Sequence, residues 1–87
     1  MKNEFLIRMM TYKDNEEKMI KGFHSTNITE LLKLYILAKE EDIPIDIPIE
    51  EDGHSEYDGQ EAYIEDIRIT FGGSESITCL NVYVVVI

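Results

Sequence analysis

Ile43-Pro44-Ile45-Asp46-Ile47-Pro48-Ile49 is the segment that leaves this chain the fewest folds. Each proline fixes its own φ and pushes the residue before it towards extended geometry, which rules out a helix. Each also removes an amide donor, so the segment cannot run through the middle of a sheet. It is an edge strand or an extended arm. Four isoleucines at strict period two give it one apolar side to lay on a core, with Asp46 and the flanking acids turned to water.

The rest of the chain supplies what that arm lies on. Residues 4–11 alternate as a strand, with Phe5, Ile7 and Met9 on one face and Leu6, Arg8 and Met10 on the other. The polar run Lys13-Asp14-Asn15-Glu16-Glu17 is a turn, and residues 18–23 resume the alternation with Met19, Lys21 and Phe23 sharing a side, which makes a β-hairpin. Met9, Met10 and Met19 read as gap-filling core. Asn27, with Glu30 three residues later, has the form of a capping box and starts a helix at Ile28. Its stripe is Ile28, Leu31, Leu32, Tyr35 and Ala38 or Lys39, with Glu30, Lys33 and Lys39 marking the solvent side. Leu34, Ile36 and Leu37 widen the stripe, which implies deep packing against a sheet or a second contact.

After the arm, residues 50–61 form a loop broken by Gly53 and Gly59. Residues 62–71 are a strand whose Ile67, Ile69 and Phe71 face one way; Ile64 is in the opposite phase, which points to a bulge or two-sided burial near Glu65 and Asp66. Gly72-Gly73-Ser74-Glu75-Ser76 turns the chain into the terminal strand 77–87. The run Val82-Tyr83-Val84-Val85-Val86-Ile87 is apolar on both faces and belongs inside the sheet or in an interface. These elements predict one α+β domain over residues 1–87. It has a four-stranded, mainly antiparallel sheet in the order ββαββ, one helix on one face and the proline-stiffened arm.

Charge decides which partners such a domain can have. The chain has 18 acids against 8 Lys and Arg over 87 residues, a formal net charge of −10. The excess is regional. Residues 40–66 contain Glu40, Glu41, Asp42, Asp46, Glu50, Glu51, Asp52, Glu56, Asp58, Glu61, Glu65 and Asp66 and no Lys or Arg, whereas residues 1–39 carry more bases than acids. A field of this sign repels nucleic acid and anionic membrane and steers basic proteins inward. Glu40, Glu41 and Asp42 also sit where the helix dipole is already negative. Sequences that break a local rule often do so at functional positions, the alternative being a solvated, frayed helix end. No apolar run is long enough to cross a bilayer, no signal peptide is visible at the N-terminus, and the lone Cys79 suits a reducing compartment, so the expected location is cytoplasmic.

The familiar chemistries find no purchase. A calcium loop over 50–61 has a closing glutamate, but Gly53 and His54 are out of register. His24, His54 and Cys79 are too few and too scattered for zinc, and Cys79 reads as a packed strand residue with no base beside it. Gly72-Gly73 joins two strands and opens no phosphate-binding helix. No metal, cofactor or catalytic residue is expected.

What remains is a carboxylate array on a stiff scaffold. Duplex DNA carries a charge roughly every 1.7 Å of axis, and acids spread over a folded surface present a comparable potential to a groove lined with Lys and Arg. The expected partner-binding residues are the twelve acids named above together with Tyr57 as an amphipathic anchor, with Tyr63 beside it. In size, acidity and expected location the chain resembles the small inhibitors encoded by phages and mobile elements, anti-CRISPR proteins especially. The resemblance lies in overall properties and in no motif. It implies a non-enzymatic DNA mimic that blocks a nuclease or another basic nucleic-acid-binding protein, with no direct nucleic-acid or membrane contact, as a monomer or homodimer. Two alternatives fit the same composition. One is an immunity protein or antitoxin for a cognate toxin. The other is a structural or regulatory homodimer joined through the terminal strand or the broad helix face.

Overall fold

The computed structural model describes residues 5–49, 56–70 and 78–87. Strands β1 (Phe5–Lys13) and β2 (Glu16–Ser25) form the N-terminal hairpin. Asp14 and Asn15 turn it with φ of 56° and 66°. Left-handed geometry at both turn positions matches the twist of the flanking strands, and Asp and Asn are among the side chains that tolerate it best. The ladder slips once: Met9 faces Lys21, but Met10 faces Met19, so Ile20 is an extra residue on β2. This bulge reverses the side-chain phase. Lys21 and Phe23 stay on the core side with Met9 and Ile7, while Met19 crosses to the other face and is exposed. The expectation that Met19 shares a side with Lys21 and Phe23, as core filler, is therefore corrected; Met9 is the methionine that fills the core.

Helix α1 (Ile28–Glu40) begins where the pattern places it, but the capping box does not form. Asn27 has ψ of 55°, outside the extended geometry that lets an N-cap side chain reach back, and its own N–H donates to Ser25 Oγ at 3.1 Å. The C-terminus closes tightly instead of fraying. The Glu41 N–H donates to Leu37 O at 3.0 Å, and the Ile43 N–H donates to Ala38 O at 2.9 Å. Between them Asp42 takes φ of 52°, the left-handed position that usually falls to glycine in this motif. Asp42→Gly should therefore raise stability by about 0.5–1 kcal/mol, because it removes both the strain and a carboxylate at the negative helix end, less the chain entropy of glycine. Thermal denaturation reads this as a rise of several degrees; an unchanged or lower midpoint would show that the Asp42 carboxylate makes a compensating contribution.

The arm contributes the two-residue strand β3 (Ile45–Asp46), followed by β4 (Glu61–Thr70) and β5 (Cys79–Val86). The sheet order is β2-β1-β5-β4-β3, with β1 and β5 parallel and the other neighbours antiparallel. The α+β class with one helix stands, but the sheet has five strands and is mixed. Two features of the chain cause the difference: the arm pairs through Ile45 with Ala62 and Asp46 with Glu61, and the two hairpins meet through the doubly apolar β5. β3 lies at an edge, as its prolines require, and β5 lies inside the sheet. The register of β4 shifts between Ile64 and Asp66, where the bulge was expected, so both Ile64 and Ile67 turn towards the core. Phe71, the loop 72–76 and the first half of the 50–61 loop, with Glu50, Glu51 and Asp52, lie outside the described residues.

One face of the sheet, carrying Ile7, Met9, Leu80, Val82 and Val84, packs against Tyr35 and Ala38 of α1 and Ile47 of the arm. The sheet also curls. Lys21 on the β2 edge forms an ion pair of 2.9 Å with Asp58, in the turn that leads into β4 from the opposite edge. Lys18, farther along β2, lies 3.8 Å from Glu56 and 5.7 Å from the Tyr57 ring centroid.

Candidate protein-docking surface

The described acids of residues 40–66 separate into four groups by the elements that carry them. Glu40, Glu41 and Asp42 are exposed at the closed end of α1. Asp46 and Glu61 face each other across the β3–β4 pair, both exposed. Like charges directly opposite on a sheet repel, so this pair lowers the stability of the edge it sits on. Glu65 is exposed at the β4 bulge, and Asp66 next to it is half-buried. The bond from Arg68 Nε at 3.0 Å, followed by the Ile67 N–H at 2.9 Å, holds the Asp66 carboxyl below the usual carboxylate range. The last group turns inward: Asp58 is paired with Lys21, Glu56 is exposed but leans towards Lys18, and Tyr57 is half-buried against the core. Tyr63 is exposed on the outer face of β4, opposite the helix.

The fold brings members of three of these groups beside clefts. A groove of about 420 Å³ runs between α1 and the proline arm, lined by Leu34, Tyr35, Leu37, Ile43, Pro44 and Asp46 among others. Its mouth is unusually apolar: Leu34, Leu37 and Ile43 are 54%, 53% and 49% exposed. Glu41 and Asp42 lie in sequence between Leu37 and Ile43, and Asp46 lines the groove itself, so exposed carboxylates border exposed aliphatic carbon. A second cleft, of about 330 Å³, brings Glu40 together with Asp66, between Leu32, Ile36, Lys39 and Ile69. Lys39 contributes, after the bonds from Arg68 and Ile67, to holding Asp66 ionised.

Arg8, Asn81 and Arg68 form a row across β1, β5 and β4 on the sheet face away from the helix. Beside that row Tyr12 stacks on Tyr83 with ring centroids 5.9 Å apart, and the Arg68 guanidinium lies 4.9 Å from the Tyr83 ring centroid. It is a polar and aromatic surface of different character from the acidic groups.

Reading the sequence missed the groove, although the excess of Leu34, Ile36 and Leu37 over one helical stripe was its visible trace. It also missed the inward turn of Asp58. The signal there was Lys21, a lysine in phase with Phe23 on an otherwise apolar side. Among the described residues no group of three or more His, Cys, Asp or Glu is placed to hold a metal ion, and no helix is long and apolar enough to cross a membrane. Comparison with protein-family models, with curated proteins and with solved structures gave no match in any of the three.

Proposed function

We propose that the chain is a non-enzymatic acidic inhibitor that occupies the basic channel of a nucleic-acid-binding protein, in the manner of the anti-CRISPR type of DNA mimic. The observation that carries the reading is the apolar groove between α1 and the arm, with Asp46 in its lining and the exposed Glu41 and Asp42 just before its lining residue Ile43 in the chain. Carboxylates beside exposed Leu34, Leu37 and Ile43 suit a cationic protein surface, which gains both charge complementarity and a buried apolar centre. Local rules are also broken in the same region: Asp42 in a glycine conformation at the negative end of a helix, and Asp46 against Glu61. Each of these costs stability in the isolated chain and is repaid by a partner's Lys or Arg.

The test compares wild type with a Glu40→Lys, Glu41→Lys, Asp42→Lys variant and with Leu34→Ser, Leu37→Ser in capture from nuclease-containing lysates. Competition by duplex DNA follows on whatever wild type retains. The reading expects a basic nucleic-acid-binding protein that DNA displaces, that the charge reversals lose by at least about 100-fold in affinity, and whose association slows with salt as a screening length of roughly 8 Å implies. Capture that survives the reversals would reject the acidic surface as the site.

The homodimer alternative keeps support on one surface. Both ladder edges of β5 are occupied by β1 and β4, so copies cannot add edge to edge there. The exposed face of α1 can still pair, and light scattering of wild type against Leu34→Ser, Leu37→Ser distinguishes a helix-joined dimer from a monomer.

A further inference from the structure

The outer edge of the proline arm restricts what can settle in the groove beside it. The Ile47 N–H donates to Gln60 O at 2.8 Å and Ile47 O accepts from the Gly59 N–H at 2.9 Å, so both polar backbone groups of Ile47 turn towards the β4 side. These groups alternate between the two edges along a strand, and Ile45, opposite Ala62, therefore turns to β4 as well. Positions 44, 46 and 48 face the other way. Two of the three are proline, so Asp46 has the only N–H to give there. A strand added to this edge needs donors as well as acceptors, and the prolines withhold them. The edge still shows carbonyl oxygens beside the Asp46 carboxylate. It accepts hydrogen bonds and donates almost none.

The groove itself is firm and carries one sign of charge. Among the described residues that line it Asp46 is the one charged side chain; Lys33 of α1 is absent from the lining, and Lys39 belongs to the second cleft. Glu41 and Asp42 are exposed just before Ile43 in the chain. Pro44 and Pro48 hold their own φ, the Ile43 N–H is tied to Ala38 O at 2.9 Å, and Ile47 is anchored in the core. Walls that are ordered in advance lower the cost of binding.

We propose that the groove receives an amphipathic basic helix of the partner protein, with apolar side chains seated between α1 and the arm and Lys or Arg flanking that row to reach Asp46, Glu41 and Asp42. This rests on the reading of the acidic surface as a site for a basic protein and adds the form that the partner presents. A helix satisfies its own backbone and needs no ladder from a proline edge, and it sets apolar side chains at i, i+3, i+4 and i+7 in one row. A volume of about 420 Å³ lies in the range of pockets that enclose small organic groups, so the groove admits side chains and leaves the helix axis outside. Guanidinium and ammonium groups only donate, which matches an edge that accepts. Seating the row also covers Leu34, Leu37 and Ile43, each about half exposed in the free chain.

The test uses the full chain and a fluorescent alanine-based peptide of about five helical turns, with leucine at i, i+3, i+4 and i+7 and arginine on both sides of that row. One control peptide has the same composition in shuffled order, which breaks the row and keeps the charge; the other has glutamate for arginine. Anisotropy reads affinity, circular dichroism reads peptide helix, and methyl spectra of leucine and isoleucine read position. Saturable binding is expected, with helical signal rising and the methyls of Leu34, Leu37 and Ile43 shifting. The shuffled peptide should bind at least about tenfold more weakly and the glutamate peptide should show no binding. Asp46→Asn should weaken binding about 3- to 10-fold and Leu34→Ser, Leu37→Ser at least about tenfold; all three side chains are exposed, so the core stays intact. Equal affinity for the shuffled peptide would overturn the helix and leave the acidic surface as a site for charge alone. Absence of saturable binding, or shifts confined to Leu32, Ile36 and Ile69 at the second cleft, would also overturn it; lysate capture lost on reversal of Glu40, Glu41 and Asp42 would then keep the wider reading. A free chain that scatters light as a dimer, and that Leu34→Ser, Leu37→Ser makes monomeric, would put a second copy in the groove and overturn the proposal.

Discussion

Asp58→Ala is expected to remove about 3–5 kcal/mol of stability, the largest effect of any single side chain outside the aliphatic core. The Asp58 carboxylate lies 2.9 Å from Lys21 Nζ, with the two side chains 13% and 3% exposed. Truncating Asp58 leaves an ammonium on the core side of β2, opposite Met9, with its ion pair broken. A chain of this length has roughly 4–13 kcal/mol to lose, so the variant should be partly unfolded at moderate temperature. The position adds to the effect. β2 and β3 are opposite edges of the sheet, and the turn containing Asp58 is tied to the arm by bonds from the Gly59 N–H to Ile47 O and from the Ile47 N–H to Gln60 O. The ion pair therefore holds the curl closed over Ile20 and Ile47, and its loss loosens two edges at once. Urea denaturation followed by circular dichroism measures the cost. A loss below about 1 kcal/mol would mean that Lys21 swings out to water and that the curl is held by packing alone.

The double variant Lys21→Met, Asp58→Leu separates charge from packing. Replacing both members of a buried pair by apolar groups of similar volume is often neutral or stabilising, because no charge then has to leave water. Recovery of most of the loss would show that Asp58 matters as the neutraliser of Lys21. It would also show why Asp58, although it belongs to the acidic stretch by sequence, is spent within the fold.

That pair illustrates where the sequence is legible and where it stops being so. Helix α1, the edge position of the proline arm, the β4 bulge and the interior place of β5 all follow from period, proline chemistry and apolar runs, which act over a few residues. The parallel contact of β1 with β5 and the approach of the sheet's edges depend on residues far apart in the chain, and no local pattern carries them. The bulge at Ile20 is a middle case: one additional residue sends Met19 out and keeps Lys21 in, and the alternation alone reads the same on either side of it. The acids follow the same division. Their concentration in residues 40–66 is plain in the chain, and Asp66 is engaged locally by Arg68 two residues on in β4, but that Asp58 is engaged while Glu41 and Asp46 remain exposed is settled only by the distant strand that brings Lys21 to it.

Raising the pH should destabilise the chain through Tyr35 before general alkaline denaturation sets in. Tyr35 is buried between α1 and the sheet, at the floor of the apolar groove, and desolvation pushes its hydroxyl from 10.0 up to about 12. The unfolded chain releases this proton near pH 10 and the folded chain only near pH 12, so between these values the folded state holds more protons. Stability that is fully present below pH 10 therefore falls as pH rises towards 12. A shift of this size corresponds to at most about 2.7 kcal/mol, and the open mouth of the groove reduces the expected loss to about 1–2 kcal/mol. Tyr35→Phe keeps the ring and removes the titrating group. Its stability should match wild type to within about 1 kcal/mol at pH 7 and stay flat where wild type declines. Urea midpoints from pH 8 to 11.5 measure both curves, with the four other tyrosines present in each. Parallel decline of the two proteins would assign the alkaline transition to other groups and would mean that the Tyr35 hydroxyl reaches solvent through the groove.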